Sequence, residues 1–289
     1  MVFSTFKSSG NNNYGMAGKS ADLGKIFSKA FSCGLSFKRI LPFFILGFVS
    51  LLIIFASAES FIIFMKEVVA SKATGIMFFS HIASIAVIIL AFFVVIFLVY
   101  IYFVGGLIDN VKNYWSGKEV KFMASLKAAK PLYFSLLLAT IFVGIISGIL
   151  GSIPFIGFLF SIVLSWLFLV YQPSVIASGK NAVESIRESY SIFMENKLQT
   201  LLFWAVLIIV SLVFIIFALI PLILSAIPAF VMMKSAGALA AFKANILILF
   251  AGSLITVFLF CYVTVFSESA KTFYYMSVKG GSKKPRRRR

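Results

Sequence analysis

Long uncharged stretches alternate with short mixed ones along this chain. No Asp, Glu, Lys or Arg occurs from Ile40 to Ala58, Ala73 to Ile108, Pro131 to Gly179, Leu198 to Met233 or Ala244 to Ser267. A membrane-spanning helix needs roughly 20 apolar residues, so the run from Pro131 holds two. Its break falls at Gly151-Ser152-Ile153-Pro154, because proline pushes the residue before it away from helix. The pattern predicts six spans, near 40–58, 76–104, 132–150, 154–173, 200–222 and 244–266.

The mixed segments have a period of their own. Leu23, Ile26, Phe27, Ala30, Phe31 and Leu35 recur at spacings of three and four, with Lys25, Ser28, Lys29 and Ser32 off that stripe. This is the pattern of an amphipathic helix lying in the membrane interface. Residues 119–130 put Phe122, Leu126 and Ala129 on one face, and residues 180–197 do the same with Val183, Ile186, Tyr190 and Phe193. Each such helix leads into an apolar pair. The fold expected is an all-α membrane protein with six transmembrane helices arranged as three hairpin repeats, each preceded by an amphipathic interfacial helix. The repeats fall near 22–110, 119–175 and 180–275. Residues 1–20 lack apolar period and read as a disordered N-terminus, and 279–289 read as a basic tail.

Composition removes any soluble alternative. The chain is 61% hydrophobic and 12% charged, with mean hydropathy +1.07, against about 45–50% and 25% in soluble domains. The charges then orient it. With the N-terminus inside, six of the 26 Lys and Arg precede the first span, five follow the second, three follow the fourth and eight follow the sixth. Only Lys66, Lys72, Lys234 and Lys243 fall outside. Cytoplasmic segments collect Lys and Arg, so both termini are expected in the cytoplasm, in the cytoplasmic membrane. No cleavable leader is expected, and the first span itself is expected to serve as insertion signal. Cys33 and Cys261 both map to the reducing side and are expected unpaired.

Candidate chemistry is sparse. Span 3 carries Thr140, Gly144, Gly148 and Ser152 at every fourth position, a spacing that lets another helix approach closely, within the chain or in a homo-oligomer. The segment from Pro221 to Phe242 is too long for a tight turn and reads as a kinked span end with an outer interfacial helix, or as a re-entrant segment. His81 is the sole histidine and makes no metal site alone. Glu59 lies at the outer edge of span 1, while Asp109 and Glu268 end spans 2 and 6 facing water. No nucleotide, metal or hydrolase motif is present, so neither a cofactor nor an enzyme is expected. Lys283, Lys284, Arg286, Arg287, Arg288 and Arg289 crowd the terminus as candidate contacts for anionic inner-leaflet lipid, or for RNA such as a ribosome.

The stretch Gly105-Gly106-Leu107-Ile108-Asp109, with Gly117-Lys118 and Ser125 to Lys130, resembles a pattern in archaeal and bacterial polytopic proteins that include the membrane domain preceding some glycerophosphodiester phosphodiesterases. Ala182 to Asn196 is similar to that group's third repeat. The resemblance implies a stand-alone membrane domain, because the catalytic barrel has no counterpart here. The function expected is a non-enzymatic lipid-associated or membrane-organising module. The alternatives are a transporter or channel for a small or amphipathic solute, and an insertase-like or ribosome-tethering factor.

Overall fold

The computed structural model describes residues 21–70, 76–154 and 156–282, and among them helix is the only regular structure. Six helices are long and apolar enough to cross a membrane, so the protein is a multi-pass membrane protein. The expectations for residues 1–20 and for Lys283, Lys284 and Arg286 to Arg289 lie outside the described residues, as do the side chains of Glu59 and His81.

Three times a short helix precedes a pair of apolar ones. Helix α1 (Leu23–Gly34) leads to α2 (Phe37–Ala70) and α3 (Ile76–Trp115). Helix α4 (Phe122–Ala129) passes through a 3-10 turn at Lys130–Leu132 into α5 (Tyr133–Gly151), followed by α6 (Gly157–Leu167) and α7 (Tyr171–Ser178). Helix α8 (Ala182–Glu195) leads to α9 (Lys197–Ala236) and α10 (Ala238–Ser282). Side chains set two of these starts. Asp22 accepts from the Lys25 N–H at 3.1 Å, and Asn181 accepts from the Glu184 N–H at 2.9 Å, each satisfying an orphan first-turn donor.

The Pro221–Phe242 segment differs from both sequence expectations. Helix α9 runs unbroken through Pro221 and Pro228, and the chain reverses at Gly237, with φ of +80°. Apart from the turn at Gly237, the segment contains no separate helix or loop. Within a bilayer a freed helix end has no water to bond, so proline is absorbed rather than ending the helix. Glycine alone adopts the left-handed turn at little cost. At the other end α10 continues to Ser282, so Lys279 belongs to a helix and not to a tail.

Burial is concentrated at the end that carries Ala21, Trp115, Ser178 and Ser282, here called the basic end. Phe203 is fully buried between Tyr274, with ring centroids 4.3 Å apart, and Phe27 at 5.4 Å. The Tyr274 and Thr200 hydroxyls share a hydrogen bond at 2.7 Å. Ile101, Val104, Leu107, Ile108 and Val111 of α3 are likewise sealed. Gly106 lets α4 lie directly on α3, since a Cβ there would collide with Leu126. Away from this core the helices become exposed apolar rods: Val87, Ile88, Leu90, Phe217 and Phe230 face outward, as lipid-contacting surface must.

The three short helices turn different faces inward. Of the predicted stripes, Ile26, Phe27 and Ala30 of α1 and Leu126 and Ala129 of α4 are buried, Leu23, Phe31 and Phe122 are half-buried, and Leu35, just past α1, is exposed. The buried positions seat on the protein rather than on lipid. Helix α8 departs from its predicted stripe: Ser185, Ser189 and Ile192 are buried and Ile186 and Phe193 half-buried, while Val183 and Tyr190 point out.

Cys33 and Cys261 are both buried and free. Replacing Phe203 by Ala should cost about 3–5 kcal/mol, the usual range for emptying a buried aromatic site. Phe217→Ala, on an exposed rod, should leave stability nearly unchanged. Thermal melting of the two variants in the same detergent checks this, and equal shifts would displace the core from the basic end.

Candidate functional site

Three polar constructions occur in this apolar molecule. The first ties α7, α8 and α10 together. Glu188 accepts from the Ser174 hydroxyl and from Tyr275 Oη at 2.8 Å, and it pairs with Lys180 at 3.2 Å and Lys279 at 3.3 Å. Lys279 also donates to Tyr275 Oη at 2.9 Å and to the Ser178 hydroxyl. The Asn181 cap and the left-handed Gly179 (φ +68°) turn α8 back onto α7, which brings these groups together. Burial pushes the Glu188 carboxyl upward, but the Ser174 and Tyr275 hydrogen bonds and the two ammonium groups outweigh it, holding the pKa below the ordinary carboxylate value. The arrangement is a clamp: every member is engaged, and Lys279 is the counter-charge of Glu188.

The second is a groove of about 690 Å³ between the α1–α2 junction, the end of α3 and the segment before α4. Lys38, Arg39 and Lys121 line it together with one carboxylate, Glu119. Arg39 is fixed in place. Its Nε donates to Asn110 Oδ1 at 2.8 Å, and its guanidinium lies 4.8 Å from the Tyr114 ring centre. Asn110 in turn donates to the Val120 carbonyl at 2.7 Å, so α3 positions both the cation and the far wall. The terminal guanidinium nitrogens form no hydrogen bond to the described residues. This is the fork geometry that receives phosphate or carboxylate.

The third is a cavity of about 550 Å³ among α5, α6, α7, α9 and α10. The fourth span is interrupted here, at Phe168–Val170. Ser189 of α8 repairs the break: its hydroxyl donates to the Leu167 carbonyl at 2.9 Å and accepts from the Val170 N–H at 3.2 Å. Lys271 lines the cavity and pairs with Glu268. Glu268 therefore does not face water as expected. Because α10 continues past it, the residue is buried, with Lys271 one turn on as counter-charge.

The sequence-predicted site residues are dispersed. Thr140 accepts from the Tyr171 hydroxyl at 3.4 Å. No part of the described chain comes within 4 Å of a Cβ placed at Gly144 or Gly148, and Ser152 is exposed. The basic cluster from Lys283 onward lies outside the described residues. Sequence reasoning missed Arg39, Asn110, Gln172 and Glu188. A usable signal existed for two of them, since Asn110 and Gln172 are amides next to or inside long apolar runs. Among the described residues no three His, Cys, Asp or Glu side chains gather as a metal site.

The chain matches no family model, no curated protein and no solved structure.

A group whose folded pKa is lowered stabilises the fold above its unfolded pKa, and that contribution disappears as pH falls through the folded value. The wild-type melting temperature should therefore drop on acidification below the ordinary glutamate pKa, about 4.3. Glu188→Gln should melt lower than wild type at pH 7, where Lys180 and Lys279 lose their counter-charge, and should lack this acid-side component. Parallel acid-side losses in both proteins would remove Glu188 from that role.

Proposed function

We propose that the protein is a non-enzymatic, lipid-associated membrane module whose basic end faces the cytoplasm and seats an anionic headgroup. The observation that carries this reading is the groove formed by Lys38, Arg39 and Lys121, with its pre-positioned guanidinium fork. A fork already fixed by Asn110 and Tyr114 loses little side-chain freedom when an anion arrives. Exposed apolar side chains flank the cations: Leu35 and Phe37 beside Lys38, and Met123 beside Lys121. Cations with adjacent apolar surface suit the boundary between headgroups and acyl chains.

The orientation follows from the distribution of Lys and Arg. The three units, each a short helix followed by an apolar pair, are read here as degenerate repeats, with the short helices at the interface. In this reading the cluster from Lys283 to Arg289 adds charge on the same side, at roughly 1 kcal/mol per cation near an anionic leaflet.

Native mass spectrometry of protein taken from mixed phosphatidylglycerol and phosphatidylcholine vesicles tests the proposal. Wild type should retain phosphatidylglycerol preferentially. Arg39→Gln combined with Lys121→Gln should reduce that retention about 10- to 30-fold, from roughly 1 kcal/mol per cation. Deleting residues 283–289 should leave groove retention in place, and because it spares Lys279 it leaves the Glu188 clamp intact. If only the deletion abolishes retention, the tail and not the groove is the lipid contact.

A further inference from the structure

The cavity at the broken fourth span holds polar groups that the protein does not satisfy. Gln172 lines it and is only 9% exposed, and its amide forms no hydrogen bond to any described residue. Ser147, Ser211 and Ser267 line it with hydroxyls that have no partner among the described residues. Beside it, Glu268 Oε2 is buried without a hydrogen bond. An amide left unpaired in an apolar setting is costly, and irregular backbone at membrane depth is found where it lines a cavity. The break at Phe168–Val170 is held by side-chain bonds, since Ser189 engages the Leu167 carbonyl and the Val170 N–H.

The walls also specify the kind of occupant. Lys271 is the charged group among the lining residues, and it is already neutralised by Glu268. An anionic or cationic headgroup would leave a net charge in a low-dielectric site. An uncharged headgroup carrying several hydroxyls would supply donors and acceptors to Gln172 and the serines without that cost. Most of the remaining wall is apolar, with Val143, Leu164, Phe168 and Leu207, and the Ser161 and Tyr171 hydroxyls are already bonded within the protein. Two lining residues, Ser165 and Ile208, are exposed, so the cavity opens sideways where lipid would lie. Trp204 stands at this mouth, donating to Ser165 at 3.1 Å.

We propose that this cavity is a binding site for the uncharged, hydroxyl-bearing head of an amphipathic molecule that enters laterally from the bilayer, with Gln172, Ser211 and Ser267 as its polar contacts.

The site is separate from the cationic groove, so it stands or falls on its own experiment. Full-length protein in phosphatidylcholine nanodiscs is titrated with a monoacylglycerol whose acyl chain carries bromine, and quenching of tryptophan fluorescence is followed. A lysophosphatidic acid with the same brominated chain is the charged comparison. The expected result is saturable quenching by the monoacylglycerol at a concentration at least about five-fold below that of the charged probe. Gln172→Leu should raise the half-saturation concentration at least about five-fold, from the loss of one or two hydrogen bonds in an apolar site. Ser211→Leu gives the same readout at a half-buried position should the first variant fail to fold. Quenching that rises linearly without saturation overturns the site. Saturation that favours the charged probe overturns the assignment of an uncharged head. Half-saturation unchanged in a folded variant of either residue overturns the assignment of these polar contacts.

Discussion

Inside a bilayer a backbone N–H or C=O that is not bonded within the protein has no water to turn to. That constraint shapes this molecule more than any single contact. It keeps α9 helical through two prolines until a glycine turns the chain at Gly237. It also bears on the interruption at Phe168–Val170, where Ser189 on another helix takes the Leu167 carbonyl and the Val170 N–H. The same serine therefore positions α8 and shapes the wall of the cavity, and local structure leads directly to a candidate site.

The second determinant is where packing is spent. Lipid tails are as apolar as leucine, so helices gain little by burying apolar rods against one another within the hydrocarbon. The tight packing lies instead at the basic end, where Phe203, Tyr274, Phe27 and Phe266 interlock with α1 and α9. Helix α10 is the spine of this region. It stacks on α9 through Tyr274, meets α3 through Phe273 against Trp115, and meets α7 and α8 through Tyr275 and Lys279. At about 1.5 Å per residue, its 45 residues run near 68 Å, about twice a hydrocarbon core. The excess length forms this packed end, which carries the clamp and the groove, with the cavity beside it.

The sequence made the spans legible because charge is expensive in hydrocarbon: runs without Lys, Arg, Asp or Glu could hardly be anything else. It also made the stripes of α1 and α4 legible, because Ile26, Phe27, Leu126 and Ala129 bury against protein as an apolar stripe does in water. The same rule misplaced α8. There Val183 and Tyr190 face outward beside Glu184 and Arg187, while small serines pack inward. Glu268 was misread because its burial depends on α10 continuing past the apolar run, which no local pattern reveals. Gln172 was overlooked because one amide in a 49-residue uncharged run barely alters its hydropathy, although in hydrocarbon a polar side chain is costly wherever it lies.

The two ion-bearing sites illustrate how net charge separates possible ligands. In the groove, Lys38, Arg39 and Lys121 exceed Glu119 by two charges, and the surface is open to water. Coulomb attraction there favours an anion, at modest strength and with sensitivity to salt. In the cavity, Lys271 and Glu268 cancel, and the walls are largely apolar protein. What is left to recognise is hydrogen-bonding capacity: Gln172 and the serines. On the two proposals, a protein with both sites would distinguish amphiphiles by headgroup, holding charged ones in the groove and admitting uncharged ones to the cavity. That division follows from the placement of one ion pair, because removing the counter-charge of either Glu268 or Lys271 would turn the cavity into a site for the opposite charge.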